Sequence, residues 1–221
     1  MPAREDAHLF DYAAGTGPAA IRLLAECQAE LNPQASTYVR AAETGFGGLL
    51  ASLHPASMPA NALDAVLTRA EEPVLAAPDD DQALDPSTGL PRALSPYIER
   101  SASGGLNWSR RLGGVQEIVL DAVSDETAEA SLVLLKPGGG IPPHDHGGEE
   151  LTLVLTGAFH DGHALYRAGD LCSAAPGMRH RPAVQGNVAC ICLTVSMGEW
   201  KPVNPLYGLI DRIVRPLRRL N

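Results

Sequence analysis

The sequence has no apolar run approaching the roughly eighteen residues that a membrane-spanning helix requires. Its first residues, MPAREDAHLFDYAAG, lack the basic start and apolar stretch of a secretory leader. The expected location is therefore cytoplasmic, with no transmembrane segment. Cysteine is scarce: Cys27, Cys172, Cys190 and Cys192 are spaced neither as a disulfide framework nor as a zinc knuckle. Basic residues are outnumbered, 17 Lys and Arg against 26 Asp and Glu, leaving a net charge of −9. Such a balance opposes direct DNA binding, which needs concentrated positive surface. What the 221 residues do contain is 45% hydrophobic side chains, enough to build a core in one large domain or two small ones.

The periodicity of those apolar residues changes near the middle of the chain. Residues 1–75 read as helices broken by Gly and Pro. AAIRLLAECQAEL, from Ala19 to Leu31, repeats its apolar positions at helical spacing. Asn32-Pro33 ends that helix and opens another from Gln34 to about Leu53, since proline fits a first helical turn. Gly45, Gly47 and Gly48 weaken the middle of this second helix and are expected to admit a close neighbour. A third helix, Ala60 to Glu72, is expected to turn Leu63, Val66 and Leu67 inward. Residues 76–100 carry Pro78, Pro86 and Pro91 and the acidic run Asp79-Asp80-Asp81, and read as an extended linker.

From residue 101 to 203 the period drops toward two. Strands are expected at Gln116–Val123, Ala128–Leu135, Leu151–Leu155, Ala164–Tyr166, Leu171–Ser173 and Val188–Val195, with glycine-bearing turns between them. Many short strands at close spacing predict an all-β sandwich or barrel. Residues 204–221 form an amphipathic tail in which Arg212, Arg215, Arg218 and Arg219 alternate with Leu209, Ile210, Ile213 and Leu217, interrupted at Pro216. The tail is expected to lay its apolar face on the β domain. The fold class is thus α + β in two domains, a helical bundle followed by an all-β domain.

The segment GGGIPPHDHGGEELTLVLTG, Gly138 to Gly157, carries the chemistry. On a strand, His144 and His146 leave the same face, because side chains alternate. Glu150 follows the Gly147-Gly148 turn, where the chain can swing back toward that face. His180 arrives from another strand after the turn at Pro176-Gly177. Three imidazoles and a carboxylate can surround one divalent metal, and such a set suits zinc, iron, manganese, nickel or copper without choosing among them.

This stretch resembles the first cupin motif, G-x5-H-x-H-x3-E-x6-G, met at Gly138, His144, His146, Glu150 and Gly157. The second cupin motif is looser: Gly169, Gly177 and His180 fall at the expected separations, while the proline stands at Pro176 and Val184 replaces the usual asparagine. The C-terminal domain is accordingly expected to be a cupin jelly-roll (double-stranded β-helix) barrel. The likeness extends to YAAGT at Tyr12–Thr16, EELTLVLTGAF at Glu149–Phe159, CICL at Cys190–Leu193 and the arginine-bearing tail. Together these resemble the ChrR family, in which a helical zinc-binding anti-sigma domain is joined to a cupin-like domain. The resemblance implies an anti-sigma factor that holds an extracytoplasmic-function sigma factor and releases it under oxidative stress. It also implies zinc as the cupin metal, with iron, nickel and manganese as alternatives. In that family an H-x3-C-x2-C motif holds a second zinc between two helices. The corresponding residues here are Gln28, Asn32 and Ala35, with Cys27 one position off and His8 upstream. One histidine cannot hold a structural zinc, so the helical domain is expected to be zinc-free. Apolar packing alone would then hold it, aided by a partner or by a second copy in a homodimer.

Other residues invite functional readings and receive plainer ones. Cys190 and Cys192 share one strand face and are read as small buried hydrophobes ahead of a redox pair. His160 and His163 flank Asp161-Gly162, a hairpin turn, and are read as surface residues. The same metal ligands would also allow a dioxygenase-like enzyme acting on a small molecule, since they leave metal positions open. The regulatory reading is preferred, because Asp145, the nearest acid, alternates away from the ligands and no separate general base is visible.

Overall fold

The computed structural model describes residues 6–70, 84–99, 105–110, 115–198 and 200–202. Four helices come first: α1 (Ala7–Ala13), α2 (Ala19–Leu31), α3 (Pro33–Ala51) and α4 (Ala62–Ala70). α2 follows Pro18 and stops at Asn32, whose side-chain oxygen accepts the Gln34 and Ala35 N–H groups and so caps α3, with Pro33 at its first position. Helices α1, α2 and α3 pack on one another around Leu9, Ala25, Ala35 and Val39. Apolar contact is not all that joins them. His8 Nε2 lies 2.6 Å from Gln28 Oε1 with both residues buried, so an N–H donated to the amide oxygen bridges α1 and α2.

Two helical expectations fail. An added Cβ at Gly45, Gly47 or Gly48 would meet nothing, so these glycines face open space and admit no close neighbour. Leu63, Val66 and Leu67 are exposed, and α4 buries no residue. The second error has a physical cause: an apolar stripe shows that a helix has a face to cover, not which element covers it.

The β part has eleven strands among the described residues: β1 (Ser109–Arg110), β2 (Gln116–Val119), β3 (Glu129–Leu135), β4 (His144–His146), β5 (Glu150–Thr156), β6 (Ala158–His160), β7 (Leu165–Arg167), β8 (Leu171–Ala174), β9 (Ala183–Val184), β10 (Cys190–Ser196) and β11 (Trp200–Pro202). The expected strand at Gln116–Val123 is shorter, because the chain turns into a 3-10 helix at Asp121–Val123. An antiparallel sheet runs β1-β2-β3-β10-β5-β8, faced by β7-β6-β9 and the pair β11-β4. Gly157 joins β5 to β6, carrying the chain from the large sheet to the small one. It adopts a φ of 75°, and a Cβ there would stand 2.5 Å from the Ala189 carbonyl oxygen.

The large sheet is covered on both faces, which is why β5 carries Leu153, Val154 and Leu155 in succession, all three buried. Val154, Cys172, Cys190, Cys192 and Leu135 point inward and meet Phe159 and Val184 of the small sheet. Leu132, Leu151, Leu153, Leu155, Leu193 and Val195 point outward and form one core with Ala20, Ile21, Leu23, Leu24 and Cys27 of α2. Helix and sheet therefore share a core. The expected linker at 76–100 is also corrected in part. Leu90 and Leu94 are buried in that same core, the latter on a 3-10 helix at Arg92–Tyr97 that donates the Ala93 N–H to Glu30. Acidity and proline content suggested extension, but two leucines in the right register pin the segment down. The acidic run at Asp79–Asp81 and the tail at 204–221 lie outside the described residues.

Candidate metal centre

Alternation along β4 buries His144 and His146 and leaves Asp145 between them partly exposed. His180 is placed by the backbone: its N–H donates to the His144 carbonyl at 3.1 Å, and His144 returns the bond at 3.2 Å. Two residues exchanging both hydrogen bonds stand side by side, so their rings lie against one another. Glu150 opens β5 beyond the Gly147-Gly148 bend. That bend depends on Gly148, where a Cβ would fall 2.1 Å from the Met197 carbonyl oxygen.

The expected ligands do come together. His180 Nε2 lies 2.8 Å from His144 Nε2 and 3.0 Å from His146 Nε2. Glu150 approaches within 3.5 Å of His146 Nδ1 and 3.8 Å of His180 Nε2. One donor atom from each of the four lies within 4.8 Å of every other. His144 Nδ1 donates to the Pro142 carbonyl at 2.8 Å, which fixes its tautomer and leaves the Nε2 lone pair facing the cluster.

The electrostatics suit a cation. Burial drives all three imidazoles down to about 4, reinforced by neighbouring histidines, so they are neutral near pH 7. Burial pushes the Glu150 carboxyl up to about 7, against hydrogen bonds from Ser196 and Thr152 that favour its ionised form. Nδ1 of His146 and of His180 are buried without a hydrogen-bond partner. Three neutral nitrogen donors and one carboxylate, with converging lone pairs and little solvent contact, fit a divalent metal.

The other residues singled out in the sequence fall elsewhere. Cys190 and Cys192 are buried in the barrel interior, their sulfurs 3.6 Å apart. His163 is exposed and His160 half-buried. Sequence reasoning passed over Asp161, taken as part of an exposed turn tip but only 1% exposed, beside Cys172 and His180. An Asp-Gly pair signals a turn and nothing about which way the aspartate points. At the positions that the resemblance set against a zinc motif, Gln28 bonds His8, Asn32 caps α3 and donates to the Gly169 carbonyl, and Ala35 is buried. None of these supplies a ligand set.

Known proteins resemble this chain over nearly its whole length. Residues 101–198 match the family model described as the ChrR cupin-like domain. Anti-sigma-E factor ChrR of Cereibacter sphaeroides is 30% identical over 215 residues, spanning 97% of this chain and 96% of that protein. A crystal structure of Rhodobacter sphaeroides SigE in complex with the anti-sigma ChrR superposes with a TM-score of 0.70 at 30% identity. That match covers 87% of this chain and 96% of the other. Since the likeness runs through helices, barrel and the histidine-bearing strands alike, the chain belongs to the ChrR family of anti-sigma factors.

Proposed function

We propose that this protein binds an extracytoplasmic-function sigma factor through its helical part, and that its cupin site holds one divalent metal through which oxidative stress is sensed. The observation that carries the first half is a run of exposed apolar side chains. Leu49, Leu50, Leu53, Met58, Leu63, Val66 and Leu67 are each at least half exposed, clustered in one stretch of chain. Apolar surface of that extent marks a place where a partner belongs, and the related structure is itself a complex with a sigma factor. Zinc is the preferred metal, by family likeness. A bound cation would hold the four ligands together by its charge and neutralise Glu150.

Sensing requires that the metal site and the helices be mechanically joined. Glu150 and Leu151 are neighbours on β5, one facing the cluster and the other facing α2. A change in the ligands on the inner face is thereby one residue from the helix core on the outer face. Regulation then consists of a shift in the population of sheet–helix arrangements, biased by the state of the centre.

The test uses the full chain co-expressed with an extracytoplasmic-function sigma factor, with metal content measured on the purified complex. One metal per chain is expected, absent in His144→Ala. Combined Leu63→Arg, Val66→Arg and Leu67→Arg substitutions should weaken sigma binding by a factor of ten or more without lowering the thermal midpoint, because none of the three is buried. Absence of binding by the parent, or equal binding by the triple variant, sinks the assignment of this surface.

A further inference from the structure

Each imidazole that offers Nε2 to a metal must have its other nitrogen held, or the ring is free to turn. For His144 the holder is the Pro142 carbonyl. His146 Nδ1 makes no hydrogen bond but has an oxygen of Glu150, itself in the cluster, 3.5 Å away. His180 Nδ1, buried, has no hydrogen-bond partner. The surroundings of His180 show what could serve. Asp161 is a buried carboxylate with an oxygen within 4.8 Å of a His180 ring nitrogen. Its Oδ1 accepts the His163 and Ala164 N–H groups at 2.7 Å each. Its Oδ2 lies 3.8 Å from the Cys172 thiol, and the Tyr166 hydroxyl also bonds this carboxylate, whose two oxygens carry four lone pairs and so have room for one further donor.

The turn carrying Asp161 also grips the backbone on both sides of His180. The Arg181 N–H donates to the Asp161 carbonyl at 2.8 Å, and the His163 ring lies 3.4 Å from the Arg179 carbonyl oxygen. From this bracket we infer that Asp161 is a positioning residue for His180, its carboxylate holding the Nδ1–H so that the Nε2 lone pair stays aimed at the metal. The inference rests on the metal-binding reading above.

A rival use of the same atoms would be a second metal held by Asp161, Cys172 and His180. One consideration weighs against it: Oδ1 already accepts two backbone N–H groups, which occupy both of its lone pairs.

Cobalt(II) binding to the full metal-free chain separates these possibilities. Affinity is measured by competition with a chromophoric chelator, stoichiometry by titration, and coordination by the visible d–d spectrum. The parent should bind one cobalt. Asp161→Asn keeps an acceptor for the turn but replaces the other oxygen with a donor, so the dissociation constant should rise about 10–100-fold with an altered d–d spectrum. The metal-free thermal midpoint should stay near the parent's. Asp161→Ala should weaken binding as much or more. Cys172→Ala should retain the parent's affinity and spectrum. Unchanged affinity and spectrum in both Asp161 variants would overturn the positioning role while leaving the metal reading intact. Two cobalt ions per chain with a thiolate charge-transfer band lost in Cys172→Ala would overturn it in favour of the second metal. A parent that binds no cobalt would overturn both readings.

Discussion

At the scale of single residues, burial moves the ligands in opposite directions along the pH axis. The imidazoles stay unprotonated down to about 4, while Glu150 keeps its proton up to about 7. A metal requires the carboxylate ionised, so binding between those values displaces one proton from Glu150. Affinity should therefore fall about tenfold for each pH unit below 7, be flat above 7, and fall more steeply near 4 as histidines protonate. Chelator competition between about pH 5 and 8 measures the slope, which Glu150→Gln should abolish over that range. For the metal-free fold the signs differ by group. Histidines whose folded values lie below 6.5 remove stability as pH falls from 6.5 toward 4. Glu150, raised above 4.5, removes stability as pH rises from 4.5 through 7. The histidine pair at 144 and 146 was legible because strand alternation alone places them on one face. Asp161 was not, because the direction of a turn side chain depends on contacts from distant segments.

Among the elements, the segment between helices and barrel gives the clearest contrast between sequence pattern and structure. Prolines and acids made residues 76–100 read as a linker, yet Leu94 is fully buried on the 3-10 helix at Arg92–Tyr97. Leu94→Ala should cost about 2–5 kcal/mol, the range for a buried leucine truncation, read as a lowered urea midpoint at unchanged slope. A free linker would show a change within about 0.5 kcal/mol. The opposite contrast holds for α4. Its apolar stripe predicted a buried helix, but its residues are exposed, so substitutions there should move partner binding and leave folding alone. Periodicity reported both elements' composition correctly and could not report their neighbours.

For the molecule as a whole, the decisive feature is that α2 lies against the outer face of the sheet whose inner face lines the candidate centre. Ile21, Leu23, Leu24 and Cys27 share one cluster with Leu132, Leu153 and Leu193. Each such buried side chain contributes on the order of 1.5–3 kcal/mol, so neither half has its full core without the other. The full chain should unfold in one calorimetric transition, with the calorimetric and van't Hoff enthalpies in agreement. Two separated transitions would show that the shared core does not couple the halves.

By itself the sequence determined the order of helices and strands, the absence of an apolar run long enough for a membrane-spanning helix, and the four side chains that converge. These are local properties: periodicity, spacing and ligand chemistry are written within short stretches of chain. Only the tertiary structure decided that α2 covers the sheet, that α4 is left bare, that His8 and Gln28 bond across α1 and α2, and that Asp161 lies beside His180. Each of those depends on segments far apart in the chain meeting, with His8 twenty residues from Gln28 and Asn32 of the helices bonding Gly169 of the barrel. A side chain's burial and its hydrogen-bond partner are set by whatever packs against it, and that information resides in no single stretch of residues.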